Sequence, residues 1–198
     1  MSDVTRREVL YQIGAGLTAA GNVTAQTAHH AHQAVAQAKG KGPYKPQALT
    51  AQEYATLGRL ADLIIPKDGK SPGALAAGAP EFIDFLCSRN DELKAIYTGG
   101  LAWLDGEMQR RCGARFAEAQ PAGQTALLDL IAFRKNASPE LNPGIHFFTW
   151  ARNMVVDAFY TSKIGMADLG FMGNGAMSEF SVPAEAVEYA LKRSPFAR

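Results

Sequence analysis

Cysteine is scarce in this 198-residue chain: Cys87 and Cys112 are the only two. Two thiols are too few for an iron–sulfur cluster, and neither belongs to the Cys-x-x-Cys-His run that haem c attachment requires. Histidine is nearly as rare, at four residues. Three of them, His29, His30 and His32, crowd one short stretch with no carboxylate or thiol beside it, so polar filler is a better reading there than a metal site. His146 is then the one candidate general base. No Gly-x-Ser-x-Gly elbow accompanies it, and a satisfied structural histidine is expected rather than a Ser/His/Asp triad. Charge of one sign is missing as well. Twenty lysines and arginines against 19 aspartates and glutamates give a net charge of +1, without the basic face of a nucleic-acid binder. No run of eighteen apolar residues exists to span a bilayer. Period-two alternation is absent, as are Val/Ile/Thr-rich runs closed by hairpin turns, so no sheet is expected.

What the chain does have begins at its N-terminus. Arg6 and Arg7 stand just before a weakly apolar stretch, Val9 to Ala25, rich in Gly and Ala and without the Leu-dense centre of an ordinary secretory signal. That is the pattern of a twin-arginine (Tat) leader, whose export route carries folded proteins. Small-x-small cleavage sequences occur at Val23-Thr24-Ala25, Ala34-Val35-Ala36 and Ala36-Gln37-Ala38. Residues 1–38 therefore read as leader and flexible tail, 39–48 as a tether, and 49–198 as a single domain with one core. Export leads to the oxidising periplasm, where Cys87 and Cys112 are a candidate disulfide worth about 3 kcal/mol. Two separate buried thiols are the alternative.

The body reads as all-α: a small irregular helical domain of about five to six helices with a long Gly-rich C-terminal loop. Thr50-Ala51-Gln52-Glu53 is a capping box, followed by Tyr54, Leu57, Ala61, Ile64 and Ile65 at helical spacing and stopped by Pro66. Pro80 opens a second helix and Asn90 or Asp91 a third, which Gly113 ends. Gly99 and Gly100 inside the third imply a close helix–helix approach or a bend. Pro121 opens a fourth helix, and a fifth runs from about Ile145 to Ser162. Lys163 to Val182 is too apolar for a solvated loop and too glycine-rich for a helix, so it has to pack on its own domain or on another chain. A short helix from Pro183 to Arg193 closes the chain. Asp62, Asp84, Asp105 and Asp157 are single carboxylates on these helices, expected to be solvated or capping groups.

Several blocks recur in a recognisable order. Leu49-Thr50-Ala51-Gln52-Glu53 leads to Leu60-Ala61-Asp62-Leu63-Ile64-Ile65-Pro66, then Ser71-Pro72-Gly73-Ala74 and Gly78-Ala79-Pro80-Glu81-Phe82-Ile83-Asp84. Gly100-Leu101-Ala102-Trp103-Leu104-Asp105 and Gln124-Thr125-Ala126-Leu127-Leu128-Asp129 follow. Phe159-Tyr160-Thr161-Ser162-Lys163-Ile164-Gly165 and Asp168-Leu169-Gly170-Phe171-Met172-Gly173-Asn174 close the series. Over roughly Leu49 to Asn174 this series resembles gluconate 2-dehydrogenase subunit 3, the small subunit of bacterial flavin-dependent sugar and sugar-acid dehydrogenases. Gly170-Phe171 departs mildly from the family's usual Gly-Tyr, losing only a hydroxyl.

The resemblance implies a chain with no catalytic, cofactor-binding or metal-binding residues of its own. FAD would sit in a large glucose-methanol-choline-type subunit, and haem c in the multihaem cytochrome c subunit that often accompanies it. The large subunit commonly lacks a leader, so the small one escorts it, folded and loaded, through the Tat translocase to the periplasm. Membrane association would come only through the complex. On this reading the docking segment is Tyr160 to Asn174, with Tyr160, Gly165, Asp168, Leu169, Gly170, Phe171, Gly173 and Asn174 at the interface. The competing readings are a free-standing exported helical binding protein and a self-sufficient exported enzyme.

Overall fold

The computed structural model describes residues 24–40, 42–171 and 182–194. Arg6, Arg7, Gly173 and Asn174 lie outside them. Among the described residues there is no strand, and the fold is all-α. In chain order the helices are α1 (Ala25–Lys39), α2 (Ala51–Ile64), α3 (Gly73–Ala77), α4 (Ala79–Cys87), α5 (Asp91–Cys112), α6 (Pro121–Ile131), α7 (Asn142–Tyr160), α8 (Lys163–Asp168) and α9 (Ala184–Arg193). Two 3₁₀ turns, Phe116–Glu118 and Arg134–Asn136, flank α6.

The start and stop signals act where the chain places them. At α2, Thr50 Oγ1 accepts from the Glu53 amide at 3.3 Å while Glu53 Oε2 accepts from the Thr50 amide at 2.8 Å. Such a cap is worth about 1 kcal/mol. Asn90 Oδ1 accepts from the Leu93 amide to open α5, and Gly113 closes it at φ +69°. Pro80 and Pro121 stand in the first turns of α4 and α6, where a missing N–H costs no helix hydrogen bond.

α4 is the hub. Every one of its residues is buried, Glu81 and Asp84 included, and it packs against α1, α2, α3, α5 and α7. Phe82 and Ile83 meet Leu57 and Leu60 of α2, Tyr97, Leu101 and Leu104 of α5, and Ala151 and Val155 of α7 in one apolar core. α5 and α7 interlock through reciprocal glycine–aromatic contacts. A Cβ at Gly100 would overlap the Phe147 ring, and one at Gly144 would overlap Trp103. Gly100 thus gives up helix propensity, about 1 kcal/mol, to let Phe147 reach Tyr97 edge-on at 5.7 Å.

Three helices exceed the six expected: α1, α3 and α8. α1 is the main correction. Residues 25–39 are not a flexible tail but a helix with Ala28, Ala31 and Val35 buried against the body. Those positions share a helical face, built of side chains small enough to bring the α1 backbone close to α4. The stretch expected as a tether is also held, because Asp84 accepts from the amides of Gln47, Ala48 and Leu49. α3 follows a turn that needs glycine: Gly73 has φ +79°, and a Cβ there would lie 2.6 Å from the Lys67 amide.

Candidate functional site

The segment expected to meet a partner is built at the corner between α7 and α8. Ser162 makes the turn: its hydroxyl donates to the Phe159 carbonyl at 2.6 Å and accepts from the Gly165 amide at 3.0 Å. Gly165 is buried, and any Cβ there would overlap the Phe159 carbonyl. It is therefore a residue of the corner itself, not one that reaches outward. α8 then stops in a Schellman motif: the Gly170 amide donates to Ala167 O at 3.0 Å and the Phe171 amide to Met166 O at 3.1 Å, with Gly170 at φ +62°. Gly170 is thus required by the backbone.

The corner holds apolar side chains out to solvent. Leu169 is 59% exposed and Phe171 52%, two large apolar side chains on either side of Gly170. Tyr160, at the end of α7, is exposed and packs edge-on to Phe159 at 4.9 Å, with the exposed Val156 one turn earlier on the same face. Asp168 is exposed beside them. The structure thus presents Tyr160, Asp168, Leu169 and Phe171, while Gly165 and Gly170 shape the backbone that presents them.

α1 braces this corner, which no motif in the sequence announces. His32 Nε2 lies 2.9 Å from Thr161 Oγ1. That hydroxyl already donates to the Asp157 carbonyl at 2.6 Å, so His32 is the donor. The His32 ring also packs on Phe82 at 4.7 Å, and His30 lies 5.9 Å from Phe85. Burial, and then the neighbouring His29, hold His32 below its ordinary pKa. His30 and His32 pack against the body, while His29 is exposed and bonds only to Gln33 on its own helix. The legible signal was the spacing 28, 31, 35 behind Thr24, whose Oγ1 accepts from the Thr27 amide and caps α1.

At its other end α1 reaches the acidic side of α4. Lys39 Nζ pairs with Glu81 Oε1 at 2.6 Å, while Glu81 Oε2 is buried without a hydrogen-bond partner. Asp84, expected to be solvated or a cap, is fully buried. Besides the three amides it accepts from the Tyr44 hydroxyl at 2.7 Å. Burial, reinforced by Asp84, pushes that hydroxyl well above its ordinary pKa and keeps it a donor. Tyr54 stacks on Tyr44 at 5.8 Å and is raised too, by burial and then by Glu81 and Asp84. Asp105 likewise joins Gln52, Thr56 and the Phe116 amide. These carboxylates bind the chain to itself.

His146 is exposed, which corrects the expectation of a satisfied histidine. It lines two shallow surface clefts, of about 200 and 440 Å³, together with Trp150. A third, of about 490 Å³, lies between α1 and the Pro43–Gln47 stretch. None of the three is lined by a carboxylate or a thiol. Among the described residues no group of three His, Cys, Asp or Glu side chains could hold a metal ion, and no helix is long and apolar enough to cross a membrane.

The candidate disulfide is not formed: Cys87 and Cys112 are both free. Cys87 is buried near Lys94 and Tyr97, at the start of α5, and Cys112 is the last residue of that helix. At about 1.5 Å per residue the helix holds them about 20 Å apart, far beyond the reach of a bridge. Burial, then Asp84, pushes the Cys87 thiol up to about 12, so it stays protonated and inert.

A family model described as gluconate 2-dehydrogenase subunit 3 matches residues 51–177. No curated protein and no solved structure matches the chain. The matched span takes in α2 to α8, including the corner, and leaves α1 and α9 outside.

Proposed function

The chain belongs to the gluconate 2-dehydrogenase subunit 3 family, and from that premise we propose that it is the non-catalytic small subunit of a periplasmic dehydrogenase complex for sugars or sugar acids. Its partner is a large FAD-dependent flavoprotein of the glucose-methanol-choline type, with a multihaem cytochrome c subunit as the electron outlet. The flavin and the haem belong to those subunits. What this chain contributes is binding energy and an address: it stabilises the folded flavoprotein and carries it through the Tat translocase behind Arg6 and Arg7.

The observation that carries the reading is the family match across the α7–α8 corner, where Leu169 and Phe171 are held in solvent by a rigid backbone motif. Exposed aromatic and aliphatic side chains on a preorganised turn suit the buried centre of a protein–protein interface. Glycine at 165 and 170 fixes the corner before any partner arrives, so little ordering entropy remains to oppose docking.

Co-expression with the flavoprotein subunit tests this. Leu169→Asp with Phe171→Asp should abolish co-purification of the flavoprotein while leaving the small chain folded; normal complex yield would sink the docking surface. Changing Arg6 and Arg7 to Lys should strand both subunits in the cytoplasm, and periplasmic dehydrogenase activity in that strain would end the escort role. Activity or visible absorbance in the purified small chain alone would favour a self-sufficient enzyme instead.

A further inference from the structure

Three small-x-small sequences compete as the leader's cleavage site, and α1 discriminates among them. We propose that leader peptidase cuts between Ala25 and Gln26, and that α1 travels with the exported domain as its first structural element. This rests on the export reading above. Since the Tat route carries folded chains, the peptidase meets the domain with α1 already docked, and a bond is cut only where the backbone is free to extend into the enzyme.

The two later sequences fail that condition. Ala34-Val35-Ala36 and Ala36-Gln37-Ala38 lie inside one continuous helix whose last turns are tied down. Val35 is buried, the Gly40 amide donates to the Ala36 carbonyl at 3.0 Å, and Lys39 pairs with Glu81. Cutting after Ala36 or Ala38 would also discard Ala28, Ala31, Val35 and His32. Phe82 and Phe85, at the centre of the fold, would lose the rings that cover them.

The first sequence meets the condition. Thr24, Ala25 and Gln26 are exposed, and Thr24 has extended backbone at φ −68°, ψ 152°. Ala25 is the first residue of α1, where amides have no helical acceptor to leave. Cleavage there sacrifices the Thr24 cap and the hydrogen bond from the Ala28 amide to the Thr24 carbonyl, and no buried side chain.

The test needs no transport. Full-length chain purified from the cytoplasm of a host without the Tat translocase is incubated with purified leader peptidase in detergent, and its intact mass is measured. A single product beginning at Gln26 is expected. A product beginning at Gln37 or Lys39, or a chain left whole, overturns the proposal. In a Tat-competent host, Ala25→Leu adds bulk at an exposed, helix-compatible position and should leave the leader attached to the chain. A shift of the cut to Gln37 or Lys39 would overturn the proposal as well. Absence of the wild-type chain from the periplasm would count against export alone, because the digestion is read without it.

Discussion

The two terminal helices invert the usual expectation about which side chains drive burial. α9 carries the larger apolar residues, yet Val187, Tyr189 and Leu191 are 43%, 61% and 58% exposed and no residue of the helix is buried. α1 buries nothing larger than Val35 alongside two alanines, and it is part of the core. Fit and polar anchoring separate them. Alanines let α1 lie close to α4, His32 and Lys39 fasten it at two places, and Asp84 pins the chain that follows. α9 is held by contacts within itself: the Glu188–Lys192 pair at 2.6 Å and Arg193 over the Tyr189 ring at 3.9 Å. Exposed pairs of this kind add only about 0.5 kcal/mol. Both helices lie outside the family match, so neither is explained by the shared fold.

The strongest way to break the contrast is to cut what fastens α1. Asp84→Ala removes the acceptor of the buried Leu49 amide, of the half-buried Gln47 and Ala48 amides, and of the Tyr44 hydroxyl, which keeps only a long contact to the Glu81 carbonyl. Each orphaned group costs about 1–3 kcal/mol, and with partial relief by water the total should be about 4 kcal/mol. Thermal unfolding should show a Tm lower by about 10 °C for a chain of this size. A drop of only a degree or two would mean that the 44–49 segment, and with it α1, is not anchored by α4. Val35→Asp attacks the docked face directly and should cost about 3 kcal/mol. Hydrogen exchange should then show α1 amides losing protection while α7 keeps it.

These residues also mark how far the sequence alone reaches. The body was legible wherever a helix had a large apolar stripe and a punctuated end: Thr50 and Glu53, Asn90 and Gly113, Pro121 and the aromatic run of α7. The close approach implied by Gly100 is where α5 meets α7. α1 was missed because burial of alanine leaves no contrast in hydrophobicity, and α8 because Gly165 reads as a breaker when in fact it is what permits the corner. The burial of Asp84 is hidden for a related reason: it depends on amides thirty-five residues away, which no local pattern reveals. The candidate disulfide fails on geometry, since spacing in sequence says nothing of the long helix Asp91–Cys112 standing between two thiols. At the corner, the sequence shows a stretch too apolar for a solvated loop but not the division of labour between Gly165 and Gly170, which shape the backbone, and the exposed Leu169 and Phe171.

A gentler probe of α1 is pH. His32 is held below its ordinary value of 6.5 by burial and then by His29, so the unfolded chain binds this proton more tightly than the folded one. Its contribution to stability is therefore complete above 6.5 and falls as pH drops through and below that value. Between pH 7 and 5.5, α1 amides should lose protection a few-fold after correction for intrinsic exchange rates. His32→Gln should flatten the dependence. An unchanged profile in the wild type would mean that the His32 ring is not held buried against the body in the folded chain.

The smallest effect is the one expected at the other terminus, and it is where the contrast can be tested most sharply. Val187 and Leu191 are one turn apart on the same side of α9, so if that face were docked on the body, two aspartates there would cost as much as Val35→Asp does in α1. Because both are open to solvent, Val187→Asp with Leu191→Asp should change the stability of the isolated chain by no more than about 0.5 kcal/mol. A loss of several kcal/mol would show that size does bury a helix here and that α9 belongs to the core. A null effect leaves the alternative standing: this protein selects its terminal helix by closeness of fit to α4, and small side chains achieve that fit where large ones do not.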